Sequence, residues 1–236
     1  MNCNYRNRGI AVLVIAMLFL YTGVFAQETA PTERSAKERI DYIQRILDEG
    51  ETRAQVWWYG WLAFNAGVTV GQGAYYFMST EADVKEDMAV GAVQGFIATV
   101  GMLAVPMVPA YAPDELREMP ENTPEQQQQK LLAAERLLRE SAEWEQEGGS
   151  WIMHAATFLL GAAGGATIWL AFDRPVDGLI NFAATMVIGE IQIFTQPTRA
   201  IDDNREYRSR YRGARRDDRN WFISVYPGGF IAGVRF

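Results

Sequence analysis

The chain has 236 residues, a formal net charge of −7, an apolar fraction of 49% and one cysteine. That length holds one large domain or two small ones. The acidic balance argues against general nucleic-acid binding, because a phosphate backbone attracts a basic surface. A single cysteine, Cys3, cannot build an intrachain disulfide framework.

Arg6 and Arg8 precede an apolar run at 10–20, and Val24-Phe25-Ala26 ends in a small residue before Gln27. A basic start, an apolar middle and a small-residue cleavage site together make a secretory leader, here 1–26. An uncleaved anchor is the alternative. The expected destination is outside the cytoplasm: the cell envelope or periplasm, at an inner or an outer membrane. Cleavage removes the only cysteine.

The first unit is expected over 27–110. Ala36, Ile40, Ile43 and Leu47 recur at steps of three and four, which predicts an amphipathic helix over 35–53. Ser35 with Glu38 fits a capping box, and Gly50 weakens the end of that helix. An apolar run follows at 56–78 without an ionisable side chain. As a helix it rises about 34 Å, enough for a bilayer core of about 30 Å. Tryptophans and tyrosines cluster at both its ends, as in the interfacial belts of membrane helices. Asn65, Thr69 and Gln72 share one face, and Gly67 and Gly71 have the spacing that lets helices approach closely. A second apolar helix, from about 84 or 88 to 107, is expected to complete an antiparallel hairpin. Thr80 with Asp83 is its expected cap; Gly91 and Gly95 form its small-residue pair, and Gln94 is its polar contact.

Prolines at 113, 120 and 124 mark 111–123 as a linker. Thr123-Pro124-Glu125-Gln126 then reads as a strong helix start. The second unit, 124–197, opens with a polar helix whose apolar stripe is Leu131, Ala134, Leu138 and Ala142, broadened by Leu137 and Trp144. Ten acids against four bases in 110–149 read as a solvated face rather than a metal site, because no cation-loop spacing appears. Gly148-Gly149-Ser150 ends that helix. Apolar runs at 150–172 and 176–196 follow, joined by Asp173-Arg174-Pro175; Gly161 and Gly165 are the small residues of the first. The halves resemble each other weakly: Gly67 and Gly71 align with Gly161 and Gly165, and Pro106 with Pro197. An internal duplication would give two similar units facing one another.

The last segment, 198–236, changes chemistry. Residues 199–219 hold eight arginines against five acids. They read as an ion-paired helix or loop, or as a docking surface through Arg208, Arg212, Arg215 and Arg216. Two β-rich runs flank Pro227-Gly228-Gly229, a short C-terminal β-hairpin signature. Phe230, Ala232 and Val234 alternate before the terminal Phe236, and these last seven residues resemble the closing strand of outer-membrane barrels. The chain lacks the series of alternating strands that a barrel needs.

The expected fold is mainly α: a glycine-rich helical bundle or membrane-associated helical hairpins. Four apolar runs have the length to span a bilayer. With a cleaved leader, ordinary spanning puts the acidic 79–87 loop inside and the Arg-rich tail outside, against the positive-inside tendency. Hairpins dipping in from one side, or a soluble core, fit the charges better.

His154 is the only histidine, and Glu190 is a carboxylate in an apolar helix that must be paired, neutralised or exposed. Asn65, Gln72, Gln94, His154 and Glu190 are therefore the candidate polar cluster, against packing and helix-end roles for His154 and Glu190. No phosphate loop, nucleophile elbow or zinc-protease pair appears, so no catalytic residue is assigned and no cofactor or metal is expected. The favoured function is a structural or interaction component of a bacterial-type cell envelope. A small transporter or pore subunit and a soluble exported binding protein are the alternatives. Expected partners are membrane lipid, an envelope protein or a second copy, and not nucleic acid.

Overall fold

The computed structural model of the protein describes residues 30–211 and, beyond them, 221–226 and 229–234; the leader, Arg212, Arg215, Arg216 and Phe236 lie outside the described residues. Helix α1 (Ala30–Met78) runs for 49 residues, about 73 Å at 1.5 Å each. The sequence suggested an amphipathic helix followed by a separate apolar one, but α1 passes through Gly50 without a break. A glycine costs a helix about 1 kcal/mol. Ile43, Leu47, Ala54 and Trp58 are buried on either side of it along one stripe, and that packing outweighs the local cost. Ser35 lies inside the helix rather than at its cap, because the chain is already helical from Ala30, the first described residue.

Helix α2 (Ala82–Ala104) has Glu81 as N-cap, with no side-chain cap bond. Thr80 does not take that role; Ser79 Oγ accepts the Glu81 N–H at 3.2 Å instead. Helix α3 (Val108–Glu118) occupies much of the expected linker. Pro109 sits in its first turn and Pro113 inside it, and Ala112, Pro113 and Leu116 are buried. The prolines masked a helix whose apolar face is short. Side chains of α1 serve its carbonyls: Gln55 Nε2 donates to Ala110 O at 3.1 Å and Gln44 Nε2 to Pro113 O at 3.2 Å.

Helix α4 (Pro124–Gly148) begins with the expected reciprocal cap. Thr123 Oγ1 accepts the Gln126 N–H at 3.3 Å, and Gln126 Oε1 accepts the Thr123 N–H at 3.2 Å. Its stripe of Leu131, Ala134, Leu137, Leu138 and Ala142 is buried. Helices α5 (Trp151–Phe172) and α6 (Pro175–Phe194) are joined through Asp173, which has a positive φ of 57°. Helix α7 (Arg199–Tyr211) follows. Strands β1 (Trp221–Tyr226) and β2 (Gly229–Val234) pair antiparallel, with Ile223 opposite Ala232.

The N-terminal half of α1 packs with α3, α4 and α7 into a cap. Its core contains Ile43, Ile46, Leu116, Leu137, Leu138 and Tyr207. Arg39, Glu135 and Tyr207 tie α1, α4 and α7 together inside it, with Arg39 Nε donating to the Tyr207 hydroxyl at 2.9 Å and both residues bonding Glu135. A second cluster of Ala54, Trp58, Met102, Met107 and Ala110 joins the cap to what extends from it.

Two helical hairpins extend: the C-terminal half of α1 with α2, and α5 with α6. Both leave the cap on the same side, since their turns are bonded to each other through Arg174 and Asp87. Their turns meet at the far end. Arg174 grips Asp87 through both guanidinium nitrogens at 2.9 and 2.8 Å, donates to Asp83 O at 2.9 Å, and donates through Nε to Asp177 at 2.8 Å.

Among the described residues, three helical stretches are long and apolar enough to cross a membrane: Ala82–Glu118, Trp151–Phe172 and Pro175–Tyr211. The run at 56–78 is helical but is not one of them, which corrects the expectation of four. Asn65, Gln72 and six tryptophans and tyrosines dilute its apolar character.

Candidate functional site

Each hairpin is closed by small residues. A Cβ added at Gly165 would lie 2.6 Å from Gly178 O, and one at Gly178 would lie 2.5 Å from Gly165 O, so the backbones of α5 and α6 touch. Gly161 lies against Phe182, and Gly189 against Thr157. In the other hairpin the close side belongs to α2: a Cβ added at Gly95 would lie 3.2 Å from Asn65 O, and Gly91 is covered by the Gln72 amide. Gly67 and Gly71 do not pack against any of the described residues, because among these a Cβ at either would meet open space. The glycine-pair spacing is the same in all three cases, and only the rotation of each helix about its axis separates them.

Between the hairpins lies a cleft of about 530 Å³. The cap end is walled by Trp57, Trp58 and Trp144, with Trp144 edge-on to the other two at 6.0 and 6.4 Å. Farther in, Gln94 from α2 bridges to the second hairpin. Its Nε2 donates to Leu160 O at 3.0 Å and to Thr185 Oγ1 at 3.2 Å, and its Oε1 accepts from Asn181 Nδ2 at 3.1 Å. Gly164 gives that amide its room. Asn65 Nδ2 and Gln192 Nε2 both donate to Met102 Sδ at 3.6 Å, a weak acceptor shared by α1 and α6. Trp57 and Trp61 donate to Thr195 Oγ1 at 3.2 and 3.3 Å. Two further acceptors at the lining, Gln72 Oε1 and Asn181 Oδ1, are buried without a hydrogen-bond partner.

The candidate polar residues thus fall into two groups. Asn65, Gln72 and Gln94 line the cleft. His154 and Glu190 are not among its lining residues and meet each other, with His154 Nδ1 3.0 and 2.8 Å from the two Glu190 carboxylate oxygens. This pair clips the first turn of α5 to the last turn of α6, beside Phe194. Asn181, Thr185 and Gln192 escaped the sequence reading as cleft residues. Their steps of four and seven along α6 were the signal, which Glu190 on a neighbouring face obscured.

Where the hairpins join the cap, Glu145 is buried, at 3% exposure, and its Oε2 accepts the Ile201 N–H at 3.3 Å at the start of α7. Burial pushes this carboxyl up to about 7, against the opposing pull of the α7 amides. Gln196 Nε2 donates to Glu145 O at 2.8 Å beside Gly148. Of the candidate docking arginines, Arg208 is exposed on α7. Among the described residues no group of three or more His, Cys, Asp or Glu is placed to hold a metal ion.

The outer faces of the hairpins are apolar and bare. Val70, Leu170, Val176 and Phe194 are 71%, 78%, 68% and 76% exposed. Of the most apolar stretch in Pro175–Tyr211, only 6% is buried in the molecule. No protein-family model, curated protein or solved structure matches the chain.

Proposed function

We propose that this protein is a structural or interaction component of a bacterial-type cell envelope, held in a membrane by its two hairpins with the helical cap at the bilayer surface. The observation that carries this reading is the reversal of exposure along one chain. Large apolar side chains are buried in the cap and turned outward on the hairpins, the arrangement that a hydrocarbon surrounding favours. The leader pattern at 1–26 supports export. Gly67 and Gly71, open on the outside of α1, supply a smooth face for a second copy or another membrane helix. The segment from Arg208 onward, ending at Phe236, serves as the docking element for lipid head groups or an acidic partner.

Carbonate extraction of membranes from cells making the tagged chain tests this. The protein is expected to stay in the membrane pellet, with the C-terminal tag open to protease. Release into the carbonate supernatant rules out hairpins buried in lipid. The transport alternative draws on the amide-lined cleft, but the ionisable His154–Glu190 pair stands apart from that lining.

A further inference from the structure

The C-terminal end of the molecule carries a polarity that holding the hairpins in lipid does not require. From Arg208 to Phe236 the sequence has seven arginines against two aspartates, in a chain of net charge −7. Helix α7 starts level with Glu49, which pairs with Arg199, and ends beside Glu38 and Tyr42. It therefore climbs α1 away from the hairpins. Along α1 the step from Trp58 back to Tyr42 is about 24 Å at 1.5 Å per residue. At that height the Arg210 guanidinium lies 5.1 Å from the Tyr42 ring centre and 5.3 Å from that of Tyr211. The ion pairs of α7 belong to Arg199 and Arg205, and the exposed Arg208 and Arg210 have none among the described residues. The nearby acids are already engaged: Glu206 accepts the Tyr42 hydroxyl and Glu38 that of Tyr211.

The strand pair beyond α7 adds an apolar element. No Asp, Glu, Lys or Arg lies between Trp221 and Val234. The register sets Trp221 opposite Val234, Ile223 opposite Ala232 and Val225 opposite Phe230, and residues two apart share a face. One face is thus apolar throughout. Each strand has only the other as neighbour, so both outer edges are open among the described residues.

From this we infer that the outer end of the cap docks on an anionic lipid surface other than the bilayer that holds the hairpins. A head-group layer meets the three features together. It offers phosphates to Arg208, Arg210 and the arginines beyond them, water to the open strand edges, and hydrocarbon beneath the apolar face. Deep insertion is excluded, because open edges in hydrocarbon leave backbone groups unpaired. A second copy brings the same surplus of arginine and is repelled. Arg208 and Arg210 do not act on their own bilayer, since about 24 Å is three Debye lengths of about 8 Å each at physiological salt. The nine residues between Tyr211 and Trp221 return the strands to that bilayer only near full stretch, about 30 Å. This inference rests on the membrane reading above and on the docking role given there to the segment from Arg208 onward.

Vesicle bridging provides the test. The full chain is reconstituted in dye-labelled phosphatidylcholine vesicles and mixed with sucrose-loaded targets, either pure phosphatidylcholine or an equimolar mixture with phosphatidylglycerol. Dye that pellets with the heavy targets reports a bridge between the two membranes. The anionic targets are expected to act at a midpoint at least tenfold lower in target lipid than the neutral ones, and raised salt to cancel the difference. Arg208→Gln with Arg210→Gln is expected to raise that midpoint about ten- to thirtyfold, the effect of two arginines at an anionic surface. Ile223→Asn, which puts an amide on the apolar face, is expected to raise it about three- to tenfold. Reconstitution without pelleting, or equal pelleting by both targets, overturns the docking surface and leaves the membrane reading standing. Full displacement of the anionic targets by soluble poly-glutamate at equal charge concentration assigns the arginines to an acidic protein and overturns the lipid surface. Failure of the chain to enter the first vesicles overturns both readings. The comparison of targets on the unaltered chain decides the matter even if a variant does not fold.

Discussion

The cap and the hairpins are built from the same helices, since α1 belongs to both, yet they are packed on opposite plans. In the cap, Ile43, Leu116 and Leu138 point inward, and most charged residues stay at the surface in ion pairs such as Arg136–Glu115 at 2.8 Å, with the Arg39–Glu135 pair and Glu145 as the buried exceptions. In the hairpins, the glycines of α2, α5 and α6 such as Gly91, Gly95, Gly165 and Gly178 and the amides point inward, while large apolar side chains such as Val70, Leu170 and Phe194 point out. The first plan draws its stability from removing hydrocarbon from water. The second gains nothing that way if its surroundings are themselves hydrocarbon, and relies on close backbone contact and hydrogen bonds between helices. The boundary between the two plans, at the level of Trp57, Trp58 and Trp144, is where tryptophan rings with an apolar body and a polar N–H are expected.

The sharpest test pairs two leucines. Leu138→Ala in the cap is expected to cost about 2–5 kcal/mol, read by denaturant unfolding in micelles. Leu179→Ala on α6, where the side chain is 63% exposed, should stay within about 0.5 kcal/mol. Equal losses at the two sites would mean that the outer face of α6 is packed against something in the working state. A glycine pair comes next. Gly165→Leu drives a side chain into the Gly178 backbone and is expected to cost about 1–3 kcal/mol, whereas Gly67→Leu meets open space and is expected to stabilise the isolated chain by up to about 1 kcal/mol through helix propensity. A loss at Gly67 that depends on protein concentration would place that face in an oligomer.

Glu145 provides a pH test at the junction. Its carboxyl is raised to about 7 from 4.5, so the folded state holds the proton more tightly than the unfolded one. The resulting stability is present in full below about pH 4.5 and is lost as pH rises through about 7. Glu145→Gln removes this dependence, and the difference between variant and parent at pH 8 should reach about 1–2 kcal/mol in favour of the variant once solvent screening is allowed for. A pH-independent difference would show that the carboxyl already titrates as in water. The smallest effect is expected at the hairpin tips. Arg174→Gln should speed amide hydrogen exchange around 83–87 and 173–177 with little change in global unfolding, because the pairs it breaks lie at the end of the molecule. Slowed exchange there would contradict the role of Arg174 as a clasp.

Helical periodicity, caps and apolar length are properties of neighbours in the chain. They placed α4 with its Thr123 cap and buried stripe, and the apolar helices α2, α5 and α6. They also marked the glycine pairs as points where backbones can meet. Continuity through Gly50, the helix hidden in a proline-rich stretch, and the choice of which glycine faces turn inward depended on atoms far away in sequence. The same holds for the sorting of Asn65, Gln72 and Gln94 to the cleft and of His154 to Glu190. A helix shows all its faces to the sequence equally, and only the arrangement of the others around it decides which ones are covered.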